Sequence, residues 1–344
     1  MNLFPTDKTF IIAELSANHG QCLDVAIETI RAAKRAGADA IKLQTYTADT
    51  MTLDFQAGPF VEVLDETIWA GRSLYDLYRE AYTPWEWHEE LFRVANEEGL
   101  VCFSSPFDKT AVDFLEQFDP PAYKIASFEI TDIPLIAYTA SKGRPMIMST
   151  GIATLEDIEL AVKTCRDAGN DDITLLKCVS SYPALVSESN LATIKDLKKR
   201  FSVRVGLSDH SVGSIVPVTA VALGAKVIEK HFILDKSIGG PDASFSMDEE
   251  SFKKMVVDVR DAESAIGLVT YDLSIKTQSS RKFSRSLYAS RDIKEGEVFT
   301  SENISSLRPC CGLEPKYYDQ IIGTLSRRSI SKGEPLLKKD LLID

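Results

Sequence analysis

The amino-acid sequence predicts a parallel (β/α)₈ TIM barrel, an α/β fold, followed by a small β-rich domain. The barrel is indicated by short apolar segments that alternate with longer amphipathic segments up to about residue 266. Eight apolar segments are present, which is the number of strands that closes a barrel of about 250 residues. The alternation is lost beyond residue 270, and this loss indicates a second domain.

Each predicted strand is a nearly continuous apolar run, the pattern of a parallel strand buried on both faces. The runs lie at 10–15, 40–44, 100–104, 122–126, 145–149, 173–178, 203–207 and 226–232. Between the strands predicted at 145–149 and 173–178, Thr154 followed by Glu156 and Asp157 is typical of the start of a helix. The interval 44–100 is too long for one crossover helix, so we expect an inserted excursion that includes the aromatic-rich 82–92. A doubly wound open sheet is the alternative, but its glycine-rich dinucleotide fingerprint is absent after the first strand.

We predict a barrel domain over 1–270, a linker over 271–285 and a small domain over 286–344. The linker has no apolar periodicity and is rich in Ser, Thr, Lys and Gln. The last domain contains a weak internal echo between 293–304 and 330–341. This echo predicts a β-rich domain built from two similar halves.

The composition excludes several classes of protein. The 344 residues include 39 Lys and Arg against 51 Asp and Glu, for a net charge of -12, so the basic footprint of a nucleic-acid binder is missing. No apolar run approaches about 20 residues, and no basic segment precedes a long apolar one at the N-terminus. We therefore expect a cytoplasmic protein without a membrane span, a secretory signal or a nucleic-acid partner.

The carboxyl ends of the predicted strands are unusually polar. In a barrel of this type, reactive residues lie at these ends and in the loops that follow them. Six of the eight ends carry ionisable or polar groups, among them Glu14, Lys42, Gln44, Ser105, Lys124, Ser208, Asp209 and Glu229. Because so many buried polar groups are costly without a ligand, this end of the barrel is the predicted site.

Histidines are rare, and three of the four follow neighbouring strands. His19, His210 and His231 lie at the ends of strands one, seven and eight, so closing the barrel is expected to bring them together. Each alone is compatible with a structural histidine. As a set they favour a metal site with His210 and His231 as ligands, because two neutral nitrogens with oxygen donors suit a six-coordinate, Mn²⁺-like ion. His88, beside two tryptophans, is expected to be structural.

Two lysines, Lys42 and Lys124, stand on predicted strands where a solvated lysine is unusual. If both face the barrel mouth, they suit an anionic ligand, with Ser105, Ser127 and Ser208 as hydroxyl donors. A Schiff-base lysine and a plain ion pair are the alternatives. The spacing of the residues alone does not decide between an anionic-ligand site, a Schiff-base lysine and an ion pair.

An ordered series of motifs runs along the whole chain. Its members are 12-IAELSANHG-20, 37-GADAIKLQTYTADTMTLD-54, 81-AYTPWEWHEELF-92, 104-SSPFD-108, 123-YKIASFEI-130, 149-STGIAT-154, 177-KCVSSYPA-184, 206-GLSDHSVG-213, 229-EKHFILDKSIGGPDASFSMD-248 and 306-SLRP-309. Through them the sequence resembles the sialic acid synthase family, most closely its pseudaminic acid branch. The C-terminal domain resembles the antifreeze-like (SAF) module of these synthases.

The resemblance implies a transferase that condenses phosphoenolpyruvate with an open-chain N-acetylated amino sugar and water, releasing phosphate and a nine-carbon 2-keto acid. For the pseudaminic acid branch the sugar is 2,4-diacetamido-2,4,6-trideoxy-β-L-altropyranose. The family also implies a divalent metal ion, Mn²⁺ or alternatively Mg²⁺ or Co²⁺, and a domain-swapped homodimer.

The family's residue roles carry over onto the matching positions. His210 and His231 are the implied metal ligands, and Glu14 lies beside the ion as a candidate proton acceptor or as a group that supports the metal ligands. The implied phosphoenolpyruvate pocket consists of Lys42, Ser105, Lys124, Ser127, Ser180 and Ser208. The implied sugar contacts are Gln44, Glu129, Tyr182 and Asp242, with Arg308 reaching the N-acyl group in the partner subunit's barrel. Two departures from the family are Ser180, where sialic acid synthases carry Asn, and Cys310, where Gly is usual.

Three alternatives remain beside the pseudaminic acid synthase. The same chemistry on N-acetylmannosamine or a 2,4-diacetamido mannose-type sugar would make a sialic or legionaminic acid synthase. A Schiff-base aldolase would use Lys124 as its nucleophile. A non-catalytic sugar-binding protein would retain both domains without turnover.

Overall fold

The computed structural model describes residues 3–4, 8–62 and 67–341. The chain divides into two compact units, residues 1–267 and 268–344. Within the described ranges, no helix is both long and apolar enough to cross a membrane.

The first unit contains a closed barrel of eight parallel strands in sequential order, as predicted. The strands are β1 (Phe10–Glu14), β2 (Ala40–Thr45), β3 (Val101–Pro106), β4 (Tyr123–Ile125), β5 (Met146–Ser149), β6 (Ile173–Cys178), β7 (Arg204–Asp209) and β8 (Val227–His231). The register sets Glu14 opposite Lys42 on β2 and opposite His231 on β8. The pairing that closes the barrel therefore also brings candidate site residues to one level.

Helices follow the strands and also form the inserted segment. They are α1 (Leu23–Arg35), α2 (Ala48–Met51), α3 (Pro59–Glu62), α4 (Leu74–Ala81), α5 (His88–Glu97), α6 (Lys109–Leu115), α7 (Ile133–Ala140), α8 (Leu155–Asp167), α9 (Thr193–Phe201), α10 (Ile215–Ala222) and α11 (Glu249–Ile266). Ile11, Leu43 and Phe252 belong to the apolar layer between strands and helices. The inserted segment, residues 46–87, holds α2, α3 and α4; its residues 63–66 lie outside the described ones.

Local sequence signals explain individual boundaries. At the start of α8, the Asp157 N–H donates to Thr154 Oγ1 at 3.3 Å, and the Thr154 N–H donates to the Asp157 carboxylate at 2.9 Å. This reciprocal cap is the predicted helix start. In β7, a Cβ on Gly206 would lie 2.3 Å from the carbonyl oxygen of Val227, so only glycine lets β7 and β8 approach so closely.

The barrel interior changes character along its axis. Its apolar part is filled by Phe10, Ile12, Ala40, Phe103, Ala122, Ile147, Leu176 and Val227. Because side chains alternate between the two faces of a strand, residues two positions further on also point inward. Those residues include Glu14, Lys42, Ser105, Lys124 and Glu229. The interior is thus a packed core at one end and a polar site at the carboxyl end.

The second unit is built around an antiparallel pair, β9 (Ser286–Ala289) and β10 (Ile304–Leu307), with helices α12 (Ile275–Ser280) and α13 (Tyr318–Ile321). Ile293 and Ile330 begin the two segments of the predicted echo, and their backbones pair through two hydrogen bonds of 2.8 Å. Both side chains are buried in the core of this unit. α12 lies inside the predicted linker, and the two domain boundaries proposed from the sequence, at 270/271 and 285/286, stay predictions.

Candidate active site

Four buried charged side chains meet at the carboxyl end of the barrel interior. This charged cluster consists of Glu14, Lys42, Lys124 and Glu229, each at most 4% exposed. Lys42 Nζ contacts the Glu14 carboxylate directly and lies 3.4 Å from Glu229 Oε2. Lys124 Nζ lies 3.5 Å from Glu229 Oε1. Two cations therefore balance two anions, which reduces the cost of burying them.

The pKa shifts within the charged cluster give its two carboxyls different roles. Burial raises the pKa of Glu14, and neighbouring Lys42 only partly offsets this rise. At Glu229, burial also acts to raise the pKa, but the charges of Lys124 and Lys42 outweigh it and lower the pKa. Glu14 is therefore the carboxyl suited to exchanging a proton, whereas Glu229 stays an anion that holds both lysines.

Two of the predicted pocket serines bond directly to the charged cluster. Lys42 Nζ donates to Ser105 Oγ at 3.3 Å. Ser208 Oγ donates to Glu229 Oε1 at 3.0 Å. Both lysines thus face the barrel interior beside hydroxyl groups, an arrangement suited to an anionic ligand.

The other two pocket serines form a cradle after β4 and β6. Ser180 Oγ donates to Ser127 Oγ at 2.8 Å, and the Ile152 N–H donates to Ser127 Oγ at 3.1 Å. A Cβ on Gly151 would lie 2.2 Å from Ser180 Oγ and 2.6 Å from Ser127 Oγ. The bare backbone of Gly151 is therefore required for these hydroxyls to meet, and the resulting polar recess suits a phosphate group.

His210 and His231, the predicted metal ligands, lie side by side with ring centroids 5.2 Å apart. His210 Nδ1 is 2.9 Å from the carbonyl oxygen of Val179, so Nδ1 carries the hydrogen and Nε2 keeps its lone pair. His231 Nδ1 is buried without a hydrogen-bond partner and lies 3.7 Å from Asp242 Oδ2. Burial lowers the pKa of both histidines, so both are neutral near pH 7.

These donors fit a divalent metal ion. Neutral imidazole is a common ligand for such ions, and an orphaned buried nitrogen beside a carboxylate is otherwise costly. Among the described residues, no three His, Cys, Asp or Glu side chains are grouped closely enough to hold a metal by themselves. An ion bound by His210 and His231 would therefore keep positions open for oxygen ligands.

His19 was predicted to converge with the other two histidines, but it faces the inserted segment instead. Its ring packs edge-on against Trp87 with centroids 5.4 Å apart, and its Nδ1 accepts from the Gln21 N–H at 3.1 Å. Burial lowers the pKa of His19 to about 4. The prediction was wrong because the turn that follows β1, with Ser16 at φ 48°, separates His19 from the strand end.

His88 has the structural environment that the sequence suggested. Its Nε2 lies 2.8 Å from Thr45 Oγ1, and its Nδ1 lies 3.2 Å from the carbonyl oxygen of Pro84. Burial lowers the pKa of His88 to about 4. The neutral ring connects β2 to the start of α5.

A cavity of about 520 Å³ opens beside the histidine pair. Its lining includes the predicted sugar contacts Gln44, Glu129, Tyr182 and Asp242. Gln44 Nε2 donates to Glu14 Oε1 at 3.0 Å, which connects the cavity to the charged cluster. Glu129 Oε2 is buried without a partner, and burial raises the pKa of Glu129 to about 7. An unpaired carboxyl of this kind suits a ligand rich in hydroxyl and amide groups.

Arg308, the remaining predicted sugar contact, belongs to the second unit and is exposed directly after β10. Its loop is held by the Tyr288 hydroxyl, which donates to the Pro309 carbonyl at 2.6 Å, and by the Cys310 N–H, which donates to the Lys282 carbonyl at 3.0 Å. Cys310 does not have a positive φ. The cysteine that replaces the usual glycine is therefore compatible with this loop.

Lys230 lies between Glu229 and His231 but points to the opposite face of β8. Its Nζ donates to Asp209 Oδ2 and to the Ser211 carbonyl, each at 2.5 Å, and the Ser211 N–H donates to Asp209 Oδ1 at 2.9 Å. Lys230 and Asp209 are almost fully buried. This ion pair therefore connects both strands that carry the histidine pair.

Two contributors to the site were not among the predicted site residues. Glu229 bridges the lysines, and the signal that identifies it is its spacing of two from His231 on the same strand face. Gly151 makes room for the two serines of the cradle. The sequence feature that could have identified it is its position in the motif 149-STGIAT-154, directly after β5.

Both units match models of known families. Residues 29–271 match the NeuB family, and residues 284–342 match the SAF domain. The chain belongs to the NeuB family. This membership confirms the predicted relation to the sialic acid synthases, as well as the condensing enzyme and the SAF module predicted from it.

Relatives in the NeuB family align over nearly the full length. The pseudaminic acid synthase of Campylobacter jejuni subsp. jejuni serotype O:23/36 (strain 81-176) is 51% identical over 98% of both chains. That of Helicobacter pylori is 46% identical over 96% of this chain and 97% of its own. Two proteins named N,N'-diacetyllegionaminic acid synthase are 36% and 34% identical. This order confirms the predicted pseudaminic acid branch of the NeuB family.

A solved structure is similar to this chain over nearly its full length. The crystal structure of the spore coat polysaccharide biosynthesis protein SpsE from Bacillus subtilis is 33% identical, with a TM-score of 0.67. The match covers 99% of this chain and 97% of that one.

Proposed function

We propose that this chain condenses phosphoenolpyruvate with 2,4-diacetamido-2,4,6-trideoxy-β-L-altropyranose and water, giving pseudaminic acid and phosphate. The observation that carries the proposal is the charged cluster beside a serine cradle and a neutral histidine pair. The two pseudaminic acid synthases at 51% and 46% identity support the choice of sugar. The proposed setting of the reaction is the cytoplasm.

Phosphoenolpyruvate, in this proposal, binds through its two anionic groups. Lys42 and Lys124 donate hydrogen bonds to them, with Ser105 and Ser208 as neighbouring hydroxyls. The cradle of Ser127 and Ser180 then holds the phosphate. Charges act strongly here because the interior is closed to water. The lysines are already oriented by Glu229, so little reorganisation is needed when the ligand enters.

The reaction forms one bond to the sugar and breaks one bond to phosphate. C3 of phosphoenolpyruvate attacks C1 of the open-chain sugar, and a proton reaches the former aldehyde oxygen, which becomes a hydroxyl. C2, now cation-like, takes up water, and Glu14 accepts the water's proton because its raised pKa suits proton exchange. Cleavage of the bond between C2 and the phosphate oxygen releases phosphate, which takes up the proton of the C2 hydroxyl, and the C2 oxygen that came from water becomes the carbonyl of the 2-keto acid.

We also propose that His210 and His231 hold a divalent ion, Mn²⁺ or alternatively Mg²⁺ or Co²⁺. When bound, the ion supplies Lewis-acid polarisation of the sugar's carbonyl oxygen. The neutral rings and the orphaned His231 nitrogen support this assignment. Asp242, Gln44, Glu129 and Tyr182 would then orient the sugar in the cavity.

The proposal includes a domain-swapped homodimer in which Arg308 of the partner subunit reaches the sugar's N-acyl group. Two features support this role. Arg308 is exposed, and the bonds of its loop to Tyr288 and Lys282 fix the loop on the second unit. The expected oligomer is therefore a dimer by light scattering.

The decisive experiment measures phosphate release from phosphoenolpyruvate with Mn²⁺, with and without the trideoxy altrose sugar. Release that requires the sugar and is abolished by EDTA supports the proposal. N-Acetylmannosamine and 2,4-diacetamido-2,4,6-trideoxy-mannose serve as matched sugars. A clear preference for either one rejects the pseudaminic product, and borohydride trapping of Lys124 with a keto acid would instead identify an aldolase.

A further inference from the structure

The cavity beside the histidine pair has two chemically different linings. The strand ends contribute polar groups, including Gln44, Glu129 and His231. The inserted segment contributes an apolar wall, which includes Met51, Leu74, Leu77, Tyr78 and Ala81. A fully hydroxylated sugar would bind poorly against such a wall, because its hydroxyls would face groups that cannot hydrogen-bond.

Helix α4 provides most of this apolar wall. Leu74, Leu77, Tyr78 and Ala81 have the i, i+3, i+4, i+7 spacing of one helix face, and all four line the cavity. Such a face ordinarily packs on a protein core. Here the cavity, which is large enough for a ligand, takes the place of core residues.

Aromatic contacts fix the wall in position. The Tyr46 ring packs edge-on against Tyr78 and Phe107, with centroids 5.7 Å and 5.1 Å apart. Trp69 Nε1 donates to the Pro241 carbonyl at 2.9 Å, and its ring lies 5.7 Å from Tyr182. The inserted segment is thereby attached to the barrel on both sides of the cavity.

We propose that the α4 face is the specificity site of the enzyme and binds the C4–C6 end of the sugar. This inference rests on the proposed function. The reacting C1 end must lie at the histidine pair and charged cluster, so the other end extends towards the apolar lining. A 4-acetamido-6-deoxy sugar places two methyl groups there, whereas N-acetylmannosamine places two hydroxyls.

The test compares kcat/KM for the trideoxy altrose sugar and for N-acetylmannosamine in wild type and Leu77→Asn. A buried methyl group in an apolar pocket is worth roughly 10- to 200-fold in kcat/KM. We expect about a 10- to 100-fold fall for the trideoxy sugar, a smaller change for N-acetylmannosamine and an unchanged KM for phosphoenolpyruvate. Leu74→Asn, at a half-buried position, gives the same readout if Leu77→Asn fails to fold.

Arg79→Gln is the matched control, because Arg79 is exposed on the opposite face of α4, and it should leave the ratio of the two sugars unchanged. An equal fall with both sugars in the leucine variants overturns the inference while the proposed function stands. Wild-type preference for N-acetylmannosamine overturns both the inference and the pseudaminic product. Absence of sugar-dependent phosphate release rejects the proposed function itself.

Discussion

The charged cluster and the α4 face are built in opposite ways, although Gln44, which lines the cavity beside the α4 face, donates to Glu14 of the charged cluster. The charged cluster is polar, buried and placed on strands that are hydrogen-bonded on both sides. The α4 face is apolar and belongs to an excursion outside the barrel ladder. In the roles proposed above, the charged cluster provides the chemistry, which demands fixed positions, and the α4 face provides selection, which demands a fitting surface.

The histidine pair gives the largest expected effect. His231→Ala should remove bound metal and lower kcat by on the order of 10³-fold, because one remaining protein nitrogen cannot hold the ion. Metal content by atomic spectroscopy and phosphate release are the measurements. His19→Gln is the control and should retain metal, since His19 faces Trp87. Equal metal content in His231→Ala and wild type would reject the site.

Behind the strand ends, the buried Lys230–Asp209 pair should be the next most sensitive. Lys230→Met leaves the Asp209 charge buried and unpaired, which is expected to cost about 3 kcal/mol or more in the free energy of unfolding. Urea unfolding measures this. Lys254→Met breaks an exposed pair with Asp258 and should cost less than about 0.5 kcal/mol.

A double variant, Lys230→Met with Asp209→Leu, should recover part of the loss. A loss for Lys230→Met no larger than that for Lys254→Met would show that the strands carrying the histidines do not depend on this pair.

The buried side chain of His88, at the start of α5, should make the stability of the fold depend on pH. Its folded pKa of about 4 lies below the ordinary value of about 6.5, so the unfolded chain binds more protons in this window. Stability is therefore fully present above pH 6.5 and is lost as the pH falls towards 4. Between pH 7 and pH 5 the histidine should contribute about 2 kcal/mol.

Urea unfolding of His88→Gln at the two pH values checks the sign and the size. The difference in stability between pH 7 and pH 5 should shrink by that amount relative to wild type. An unchanged difference would mean that His88 is not held neutral by burial.

The smallest expected effect lies outside the barrel. Arg308→Ala should raise the KM for the sugar about 10-fold, the size of one lost charged hydrogen bond, with little change in kcat. Mixing this variant with His231→Ala should restore activity at low sugar concentration, because mixed dimers then contain one complete site. A lack of restoration in verified mixed dimers would contradict the domain swap.

The barrel itself could be predicted well from the sequence because parallel strands buried on both faces are continuous apolar runs. The side of the strand on which Lys42 and Lys124 lie could not be predicted, because both faces of those strands are buried and a short apolar run shows no alternation. Glu229 was named among the polar strand ends but was given no role, because it lies in three consecutive polar residues, 229–231, where only the register shows which two point inward.

The inserted segment shows a different limit of sequence reasoning. The spacing of Leu74, Leu77, Tyr78 and Ala81 predicts an apolar helix face, but spacing does not say whether a core or a cavity lies opposite. His19 shows a related limit, because order along the chain predicted convergence and the turn at Ser16 redirected the side chain. Tertiary contacts decide both cases.

The attachment of the inserted segment between β2 and α5 has an evolutionary consequence. One end continues from β2 and the other leads into α5, outside the closed ladder of strands, so insertions, deletions and exchanges within the segment leave the strand register intact. Descendants of one ancestral enzyme can thus acquire a new sugar while inheriting the same reaction. Under the proposed role of the α4 face, a change of sugar then requires changes at a single crossover and not a new catalyst.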